Sequence, residues 1–492
     1  MKKVLAILVL LGLLAGLTVT ASAEAPVMPS PPISLLASPR QWTSEYWVQN
    51  LGTGVAQVSA TYYTASTGVS AGTESFTIPV GSATRIIPSL ADGFLGSAVL
   101  SSDQEIVAVE NHYTVDAGVH MIGASNGVAS GSNSLTLPLI TRHNSGFETK
   151  AYIQNLSSVA ATIYMTFTPG IAGSAYSMSD TLPAYTMKAY DQSQDTPFAA
   201  LGTKFVGSAR VTADQPLASA VDFGNLTAGS FTLLITYDGL SSGATSLALP
   251  LIMKANSNFY TGQQIINTSG STAGVDITYT AGPFSDPSLV GRTKTVHFDI
   301  PAYGSVTRIL KHEYGSAYDD LYDWGNLKVV GSATIVSTNN QPVACVVNEQ
   351  NDVQGFMEAY NGFSSATATK AVAMPQVMKK RDLWYVGIQI QNMSSSTANV
   401  NVTYTAGLGS SVPVGTSVTK PHTIAGNSSI TIILLHAYGC AYDDLCNAPF
   451  GDVTFSGAAY ITSDQNIVAI GNVQKAVSTT GDYVAAYNGI NR

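Results

Sequence analysis

The sequence predicts an all-β protein made of four tandem antiparallel β-sandwich domains that follow a cleaved signal peptide. Three observations predict this class. The same landmarks recur four times in the same order. Each copy alternates apolar and polar residues, as a strand with one buried face does, and turn residues interrupt these segments roughly every 8 to 12 positions. No long segment after the N-terminal leader has the apolar spacing of a helix.

The amino-acid composition excludes several other kinds of protein. Of the 492 residues, 45% are hydrophobic and only 11% are charged. That hydrophobic content excludes an intrinsically disordered chain. The net charge of −9 argues against a protein with the basic face that nucleic acids require. We expect exposed strand positions to carry Thr, Ser and Asn, which leaves little charge to keep strand edges apart and favours self-association.

Residues 1–23 have the pattern of a Sec-type signal peptide. Lys2 and Lys3 precede an apolar stretch over 4–19, and Ala21-Ser22-Ala23 supplies the small residues that signal peptidase accepts. The alternative is an uncleaved membrane anchor, because the stretch is close to the minimum length for spanning a bilayer. No later segment is long and apolar enough to span, so we expect an exported protein that is extracellular or held at the cell surface.

Four landmarks define the repeats: a strand ending in Gln-Asn, a small-residue strand start, a polar pair before an apolar strand, and a tripeptide ending in Gly. They occur at Gln49-Asn50, Gln154-Asn155, Ile266-Asn267 and Gln391-Asn392; at Gly96-Ser97-Ala98, Gly207-Ser208-Ala209, Gly331-Ser332-Ala333 and Gly457-Ala458-Ala459; at Asp103-Gln104, Asp214-Gln215, Asn340-Gln341 and Asp464-Gln465; and at Ser125-Asn126-Gly127, Tyr237-Asp238-Gly239, Tyr360-Asn361-Gly362 and Tyr487-Asn488-Gly489. Spacings of roughly 105 to 125 residues fit whole domains. We place the domains at 24–135, 136–247, 248–371 and 372–492.

Between copies lies a short apolar segment with a proline, at Leu137-Pro138-Leu139-Ile140, Leu249-Pro250-Leu251-Ile252 and Met374-Pro375-Gln376-Val377. Proline cannot donate to a strand ladder, so it favours an edge strand or the first residue of a strand. We interpret this segment as the opening strand of the next domain. No flexible linker separates the domains, which are therefore expected to lie close together.

Strict alternation occurs at the same place in each copy, at Val58-Ala60-Tyr62, Ile163-Met165-Phe167, Val275-Ile277-Tyr279 and Val400-Val402-Tyr404. The recurring Asn after each strand is expected to form an Asx-turn, in which the side chain bonds the backbone two residues on. The Asn-Gly and Asp-Gly pairs are expected to be tight turns, with the glycine at positive φ. These repeated motifs indicate folding requirements more readily than four active sites.

The Ile-Gln-Asn, Gly-Ser-Ala, Tyr-Asn-Gly and Leu-Pro-Leu-Ile motifs resemble tandem repeats of uncharacterised secreted bacterial surface proteins. In plan the chain is similar to the immunoglobulin-like or fibronectin-like domains of bacterial surface and S-layer-like proteins. This resemblance covers nearly the whole chain after residue 23 and implies an immunoglobulin-like sandwich. Its motifs are structural and imply no activity, and the Cys-Trp-Cys signature of true immunoglobulin domains is absent.

The chain has three cysteines. When the third and fourth repeats are aligned on their Tyr-Gly-x-Ala-Tyr-Asp-Asp-Leu segments, Cys440 matches Ser316 and Cys446 matches Tyr322. Both cysteines are present in one copy and absent from its sibling, which predicts a Cys440–Cys446 disulfide in an oxidising compartment. Cys345 lies in an apolar strand and is expected to be a buried thiol.

The same loop carries carboxylates at Asp319 and Asp320 in the third repeat and at Asp443 and Asp444 in the fourth. A calcium ion takes six to eight oxygen ligands, and clustered aspartates can supply several. Solvated acidic loops are the simpler interpretation, because the spacing matches no EF-hand. No other cofactor is expected.

Sequence motifs for catalysis are absent. None of the seven histidines lies in a zinc-protease motif, and there is no Gly-x-Ser-x-Gly elbow or P-loop. Carboxylate pairs for glycoside hydrolysis meet only in space, so the sequence does not exclude them. Trp324 and Trp384 are candidates for stacking on sugar rings, although core or rim positions are the more usual place for such residues.

We therefore expect an exported, non-catalytic structural or adhesive cell-surface protein, built as a rod of four sandwiches. It would bind other surface proteins, copies of itself or extracellular glycans, and no nucleic acid. One alternative is an array of carbohydrate-binding modules, with calcium assistance at the aspartate loops. A weaker alternative is a secreted hydrolase with a carboxylate pair that only the fold brings together.

Overall fold

The computed structural model describes residues 42–91, 93–114, 121–225, 233–476 and 481–492. Within these ranges the chain is all-β, as predicted, and strands pair antiparallel throughout. The predicted signal peptide at 1–23 lies outside the described residues.

The first repeat contributes β1 Trp42–Asn50, β2 Ala56–Thr64, β3 Ser70–Ile78, β4 Ala83–Ile86, β5 Gly96–Ser102, β6 Ile106–Thr114 and β7 Ile122–Asn126. The second contributes β8 Ser132–Arg142, β9 Glu148–Asn155, β10 Ala161–Ala172, β11 Tyr176–Leu182, β12 Met187–Asp191, the short helix α1 Asp195–Phe198 with a 3₁₀ turn at Ala199–Leu201, β13 Phe205–Gly224 and β14 Leu234–Asp238.

The third repeat contributes β15 Ser246–Lys254, β16 Phe259–Asn267, β17 Ala273–Ala281, β18 Thr293–Ile300, β19 Ser305–Ile309, 3₁₀ turns at His312–Tyr314 and Tyr322–Trp324, β20 Val329–Ser337, β21 Val343–Asn351, β22 Phe356–Asn361 and β23 Phe363–Ser364. The fourth contributes β24 Thr369–Lys379, β25 Trp384–Asn392, β26 Ala398–Ala406, β27 Ser417–Ile424, β28 Ser429–Ile433, a 3₁₀ turn at His436–Tyr438, β29 Phe455–Lys475, β30 Val484–Asn488 and β31 Ile490–Asn491.

The repeats share one strand order. In the first repeat two sheets run β3-β2-β5 and β4-β1-β6-β7, and in the third they run β18-β17-β20-β15-β23 and β19-β16-β21-β22. In the second and fourth repeats the long strands β13 and β29 continue from one sheet into the other, so the two sheets share a strand.

The alternating segments supply the cores, as predicted. Val58, Ala60 and Tyr62 of β2 are buried, and the corresponding residues of β10, β17 and β26 are buried as well. The residues between them are mostly half-buried or exposed. Burial of these rows provides the main driving force for each repeat, at about 1.5–3 kcal/mol per large apolar side chain.

The proline segments open the next repeat, since β8, β15 and β24 pair with β13, β20 and β29. Their prolines lie inside the strand at a β-bulge, where the pairing register shifts, and not at its first residue. The bulge frees the carbonyl of the residue after proline, and a tyrosine hydroxyl from the Tyr-Asn/Asp-Gly landmark donates to it. The pairs are Tyr237 with Leu139, Tyr360 with Leu251, and Tyr487 with Gln376.

The four repeats close into a cycle. Strands β7, β14, β22 and β30, here called the hub, lie side by side, so that β7 contacts both β14 and β30 and β22 contacts the same two. The first repeat therefore touches the fourth, and the predicted rod is wrong. Each opening strand also packs on the repeat that follows it in the cycle. Strand β8 contacts β16 and β21, β15 contacts β25 and β29, and β24 contacts β1 and β6.

The hydrophobic cores cross the repeat boundaries. The second core includes Val346, Met357 and Ala359 of the third repeat. The third core includes residues of the fourth, and the fourth core includes Trp47 and Val109 of the first. The junctions are therefore packed as domain interiors are, and neighbouring repeats stabilise one another.

The Asn-Gly and Asp-Gly pairs are not tight turns, which corrects the expectation from sequence. Gly127, Gly239, Gly362 and Gly489 do not adopt positive φ. They directly follow the hub strands, where space is limited: a Cβ on Gly239 would lie 1.9 Å from Ser219 Oγ. These glycines allow close approach and do not supply a left-handed conformation.

Candidate functional site

The four residues before those glycines bond their neighbours around the hub, and in both the backbone and the side-chain series the bond from Asp238 is missing. The amide of Asn126 donates to Asp238 Oδ2 (3.1 Å), that of Asn488 to Asn126 Oδ1 (3.0 Å), and that of Asn361 to Asn488 Oδ1 (2.9 Å). In return Asn126 Nδ2 donates to Asn488 O, Asn488 Nδ2 to Asn361 O, and Asn361 Nδ2 to Asp238 O. Asp238 has no side-chain amide, so its ionised carboxylate cannot donate the equivalent fourth bond, to the carbonyl of Asn126. Burial raises the pKa of Asp238 to about 7.

The Asn of each Gln-Asn landmark forms the predicted Asx-turn. Its Oδ1 accepts the amide of the residue two positions on, at 2.8–2.9 Å in all four repeats. Its Nδ2 donates to backbone carbonyls of the same repeat, as Asn392 does to Ser396 O and Ile424 O. These four side chains are thus occupied in folding.

The Gln beside each Asn reaches the preceding repeat, which the sequence did not reveal. Gln154 Nε2 donates to Ser97 Oγ (2.9 Å), Gln391 Nε2 to Ala333 O (3.2 Å), and Gln49 Nε2 to Ala459 O (3.3 Å). The acceptors belong to the small-residue landmark, so two separate sequence motifs meet at the junctions. In the third repeat Ile266 replaces Gln and lines a cavity of about 230 Å³.

The candidate calcium ligands are paired with internal cations and hydroxyls. Asp319 accepts from the buried Lys254 Nζ at 2.5 Å, and Asp443 accepts from the buried Lys379 Nζ. Asp320 binds the Arg308 guanidinium and Tyr279 hydroxyl, whereas Asp444 binds the Tyr404 hydroxyl (2.7 Å) and His422 Nε2 (2.9 Å). Among the described residues no group of three or more His, Cys, Asp or Glu is placed to hold a metal. We therefore propose no calcium site at these loops.

The buried cations recur at the end of each described opening strand. Arg142, Lys254 and Lys379 follow the Leu-Pro-Leu-Ile segment or its variants and are almost fully buried. Lys379 Nζ also donates to Leu445 O (2.9 Å) and Gly451 O (2.6 Å). A cation repeated four residues after each proline was the available sequence signal. In the third and fourth repeats this cation forms a buried ion pair that holds the aspartate loop. In the second repeat Arg142 donates to the carbonyls of Gln192, Gln194 and Gly202 instead.

The predicted disulfide is confirmed, with Cys440 and Cys446 bonded and their Cα atoms 5.2 Å apart. Cys345 is a buried free thiol, also as predicted. Trp324 is only 6% exposed, and Arg292 lies over its ring. Trp384 is half-buried against Tyr483 and Lys475. Core and rim positions, the simpler interpretation of these tryptophans, are the ones observed.

A cavity of about 780 Å³ lies at the junction of the third and fourth repeats. Leu251 and Met253 of β15 form one wall, and residues of β25 and β28 form the facing wall. Aromatic rings surround it, with Tyr442 stacked on Phe284 across the junction at 4.7 Å between ring centroids. Its volume is in the range of ligand pockets, about 300–1,000 Å³.

Side-chain size explains why this junction is open. At the equivalent position between the fourth and first repeats, Trp47 and its strand partner Arg85 fill the space beside Glu45, and the cavity there is about 90 Å³. In the fourth repeat the corresponding residues are Gln389, Thr431 and Gly387. These smaller side chains leave open the space that Trp47, Arg85 and Glu45 fill at the other junction.

Two glutamates lie at the cavity. Glu349 and Glu358 face each other on β21 and β22, and both are buried. Asn472 of the fourth repeat donates to Glu349 Oε2 (3.1 Å) and Glu358 Oε1 (2.8 Å). Burial raises the pKa of Glu358 to about 7, and burial together with the Glu358 charge raises the pKa of Glu349 well above its ordinary range. Two touching buried carboxyls cannot both ionise readily, so the pair holds a proton near neutral pH.

The junction of the first and second repeats has a different polar group. His112 is buried between Asp222 of the second repeat (3.2 Å) and Glu110 of its own strand (3.3 Å). Burial lowers the pKa of His112, but the two carboxylates outweigh it and raise the pKa to about 10. A protonated His112 therefore links these repeats electrostatically. No motif in the sequence marks it.

In the described part of the chain, no helix is long and apolar enough to cross a membrane. No protein-family model and no curated protein matches the chain. A solved structure described as a tetra-tandem repeat in the extending region of a large adhesion protein is 11% identical, and the match covers 96% of this chain and 100% of that one. Its TM-score of 0.09 does not indicate a shared fold.

Proposed function

We propose that the protein is an exported, non-catalytic adhesive or structural protein of the cell surface, made of four immunoglobulin-like sandwiches. The signal-peptide pattern at 1–23 supports export, and the resemblance of the repeat motifs supports a surface location. The main observation in support is that the buried charged groups are paired with one another inside the protein. The ion pairs of Lys254, Lys379 and His112 join loops or repeats to one another, so these conspicuous polar groups serve the framework.

A hydrolase is the less favoured function. Glycosidases hold their two carboxyls about 5–5.5 Å or 6.5–9.5 Å apart, with room for a sugar or water between them. Glu349 and Glu358 are direct cross-strand partners that share the Asn472 amide. Two buried carboxyls bound to one amide support a proton-sharing pair more than an acid and a nucleophile on either side of a sugar.

Immunogold labelling of intact cells tests the proposed function. We expect label on the cell envelope, and a dense regular coat would favour the structural form of the proposal over the adhesive one. Recovery of the protein in the culture medium, with unlabelled cells, would count against both. A purified chain that hydrolyses glycosides, with activity lost on Glu358→Gln, would overturn the non-catalytic proposal.

A further inference from the structure

The cavity between the third and fourth repeats has the lining of a binding site. Its polar side chains include five amides, namely Asn256, Gln354, Gln389, Asn472 and Gln474. Its aromatic members include Phe284, Tyr438 and Tyr442. Amides can both donate to and accept from hydroxyl groups, whereas aromatic faces cover the apolar faces of flat ligands.

The charged groups at the cavity do not select a charged ligand. Lys328 and Lys475 line it together with Glu349 and Glu358, and the acid pair carries at most one negative charge because it holds a proton near neutral pH. Lys475 also lies over the rings of Trp384 and Tyr483, and the two acids are held by Asn472. A neutral ligand with many hydroxyl groups matches this set better than a cation or an anion.

We propose that this cavity binds a neutral saccharide of one or two sugar rings. The inference rests on the proposed function, since it names what an adhesive surface protein would hold. Tyr438 is 51% exposed and lines the cavity, where its ring is available to a sugar. Gln389 is bonded to Ser429 and Thr431, and Asn472 to the two glutamates. The hydrogen bonds to sugar hydroxyls are therefore assigned to Gln354 and Gln474, which also line the cavity.

The disulfide gives this site a rigid rim. Tyr438 lies two residues before Cys440, and Tyr442 lies inside the loop that the Cys440–Cys446 bond closes. The loop of the third repeat has the same Tyr-Gly-x-Ala-Tyr-Asp-Asp-Leu sequence but no disulfide, and its Tyr314 and Tyr318 do not line this cavity. The cross-link therefore occurs in the copy whose tyrosines surround the void. A loop held in its binding conformation loses less entropy when a ligand binds.

The test measures binding of four neutral disaccharides, N,N′-diacetylchitobiose, cellobiose, maltose and lactose, to the full chain by isothermal titration calorimetry at millimolar concentrations. We expect at least one to bind. Tyr438→Ala should weaken that binding about tenfold, since a lost aromatic contact of about 1.4 kcal/mol corresponds to that factor. Tyr314→Ala is the matched control, because Tyr314 holds the equivalent place in the third repeat and is 48% exposed. It should leave the affinity unchanged.

A second variant fills the void. Gln389→Trp copies the residue that closes the junction of the fourth and first repeats, and it should abolish binding while the melting temperature stays near that of the parent chain. Failure of all four sugars to bind, binding of tetramethylammonium in their place, or equal losses in Tyr438→Ala and Tyr314→Ala would overturn the inference. Surface immunogold labelling does not depend on sugar binding, so the proposed function can stand when this inference fails.

Discussion

Replacing Lys379, the buried lysine of the fourth repeat, should lower the stability of the protein far more than replacing its neighbour Lys380. Lys379 and Asp443 are both completely buried, and Lys379 Nζ also satisfies two backbone carbonyls. Lys379→Met would leave the Asp443 charge buried without a cation. Breaking a buried pair in this way costs about 3–5 kcal/mol, which is a large share of the stability of a typical domain.

Lys380 provides the matched control, because it is the next residue and also forms an ion pair, with Asp452 at 2.8 Å. The side chains of Lys380 and Asp452 are each 51% exposed, so solvent screens the pair. Lys380→Met should leave the urea midpoint unchanged within error. The double variant Lys379→Met/Asp443→Leu should recover part of the lost stability, because it removes the unpaired buried charge. Recovery is incomplete because the Leu445 and Gly451 carbonyls and the Leu445 amide lose their partners.

Urea unfolding at pH 7, followed by circular dichroism and by tryptophan fluorescence, would measure these variants. Use of both signals shows whether the repeats unfold together. Equal midpoints for Lys379→Met and Lys380→Met would refute the reasoning. So would a double variant as unstable as Lys379→Met alone.

The remaining predictions concern titration and cross-linking. Because burial raises the pKa of Asp238 and of Glu358 to about 7, the folded state holds more protons than the unfolded state between about pH 4 and pH 7. Stability should therefore fall as pH rises through that window, and Glu358→Gln should flatten the dependence in melting curves taken from pH 5 to pH 8. Asp238→Asn supplies the missing amide toward Asn126 and should add about 1 kcal/mol at pH 8; a loss there would contradict the hub cycle. Replacing Cys440 and Cys446 with serine should cost about 2 kcal/mol, measured as a lower urea midpoint than that of the oxidised parent chain.

The strands were predictable because their signal is local. Alternation at Val58, Ala60 and Tyr62 needs only a period of two and a buried face, and the same holds in the other three repeats. The disulfide was predictable because a comparison between sibling repeats isolates Cys440 and Cys446. In both cases the information lies within a few residues or within one alignment.

The closure of the repeats was not predictable in this way. Asn126 and Asn488 bond across the hub although 362 residues separate them, and each was interpretable from sequence only as a local turn. The partners of Asp319 and Asp443 likewise lie on distant strands. The acidic loops therefore suggested calcium ligands, whereas in the fold Asp319 and Asp443 are paired with the buried lysines Lys254 and Lys379.

The cavity depended on a comparison between junctions. Its size follows from Gln389 and Gly387 standing where the first repeat has Trp47 and Glu45. The difference in residue size is visible in the sequence, but its meaning requires knowing that these positions face a neighbouring repeat. The paired glutamates at the cavity depend in the same way on the β21–β22 register.

Small-angle X-ray scattering of the purified chain tests the closed arrangement most directly. A compact body of this length has a radius of gyration of about 23 Å. Four domains of about 117 residues in a line, spaced about 35 Å apart, would give about 40 Å. We predict the smaller value, with no long tail in the pair-distance distribution. A radius near 40 Å would contradict the contact of the first repeat with the fourth and, with it, the hub.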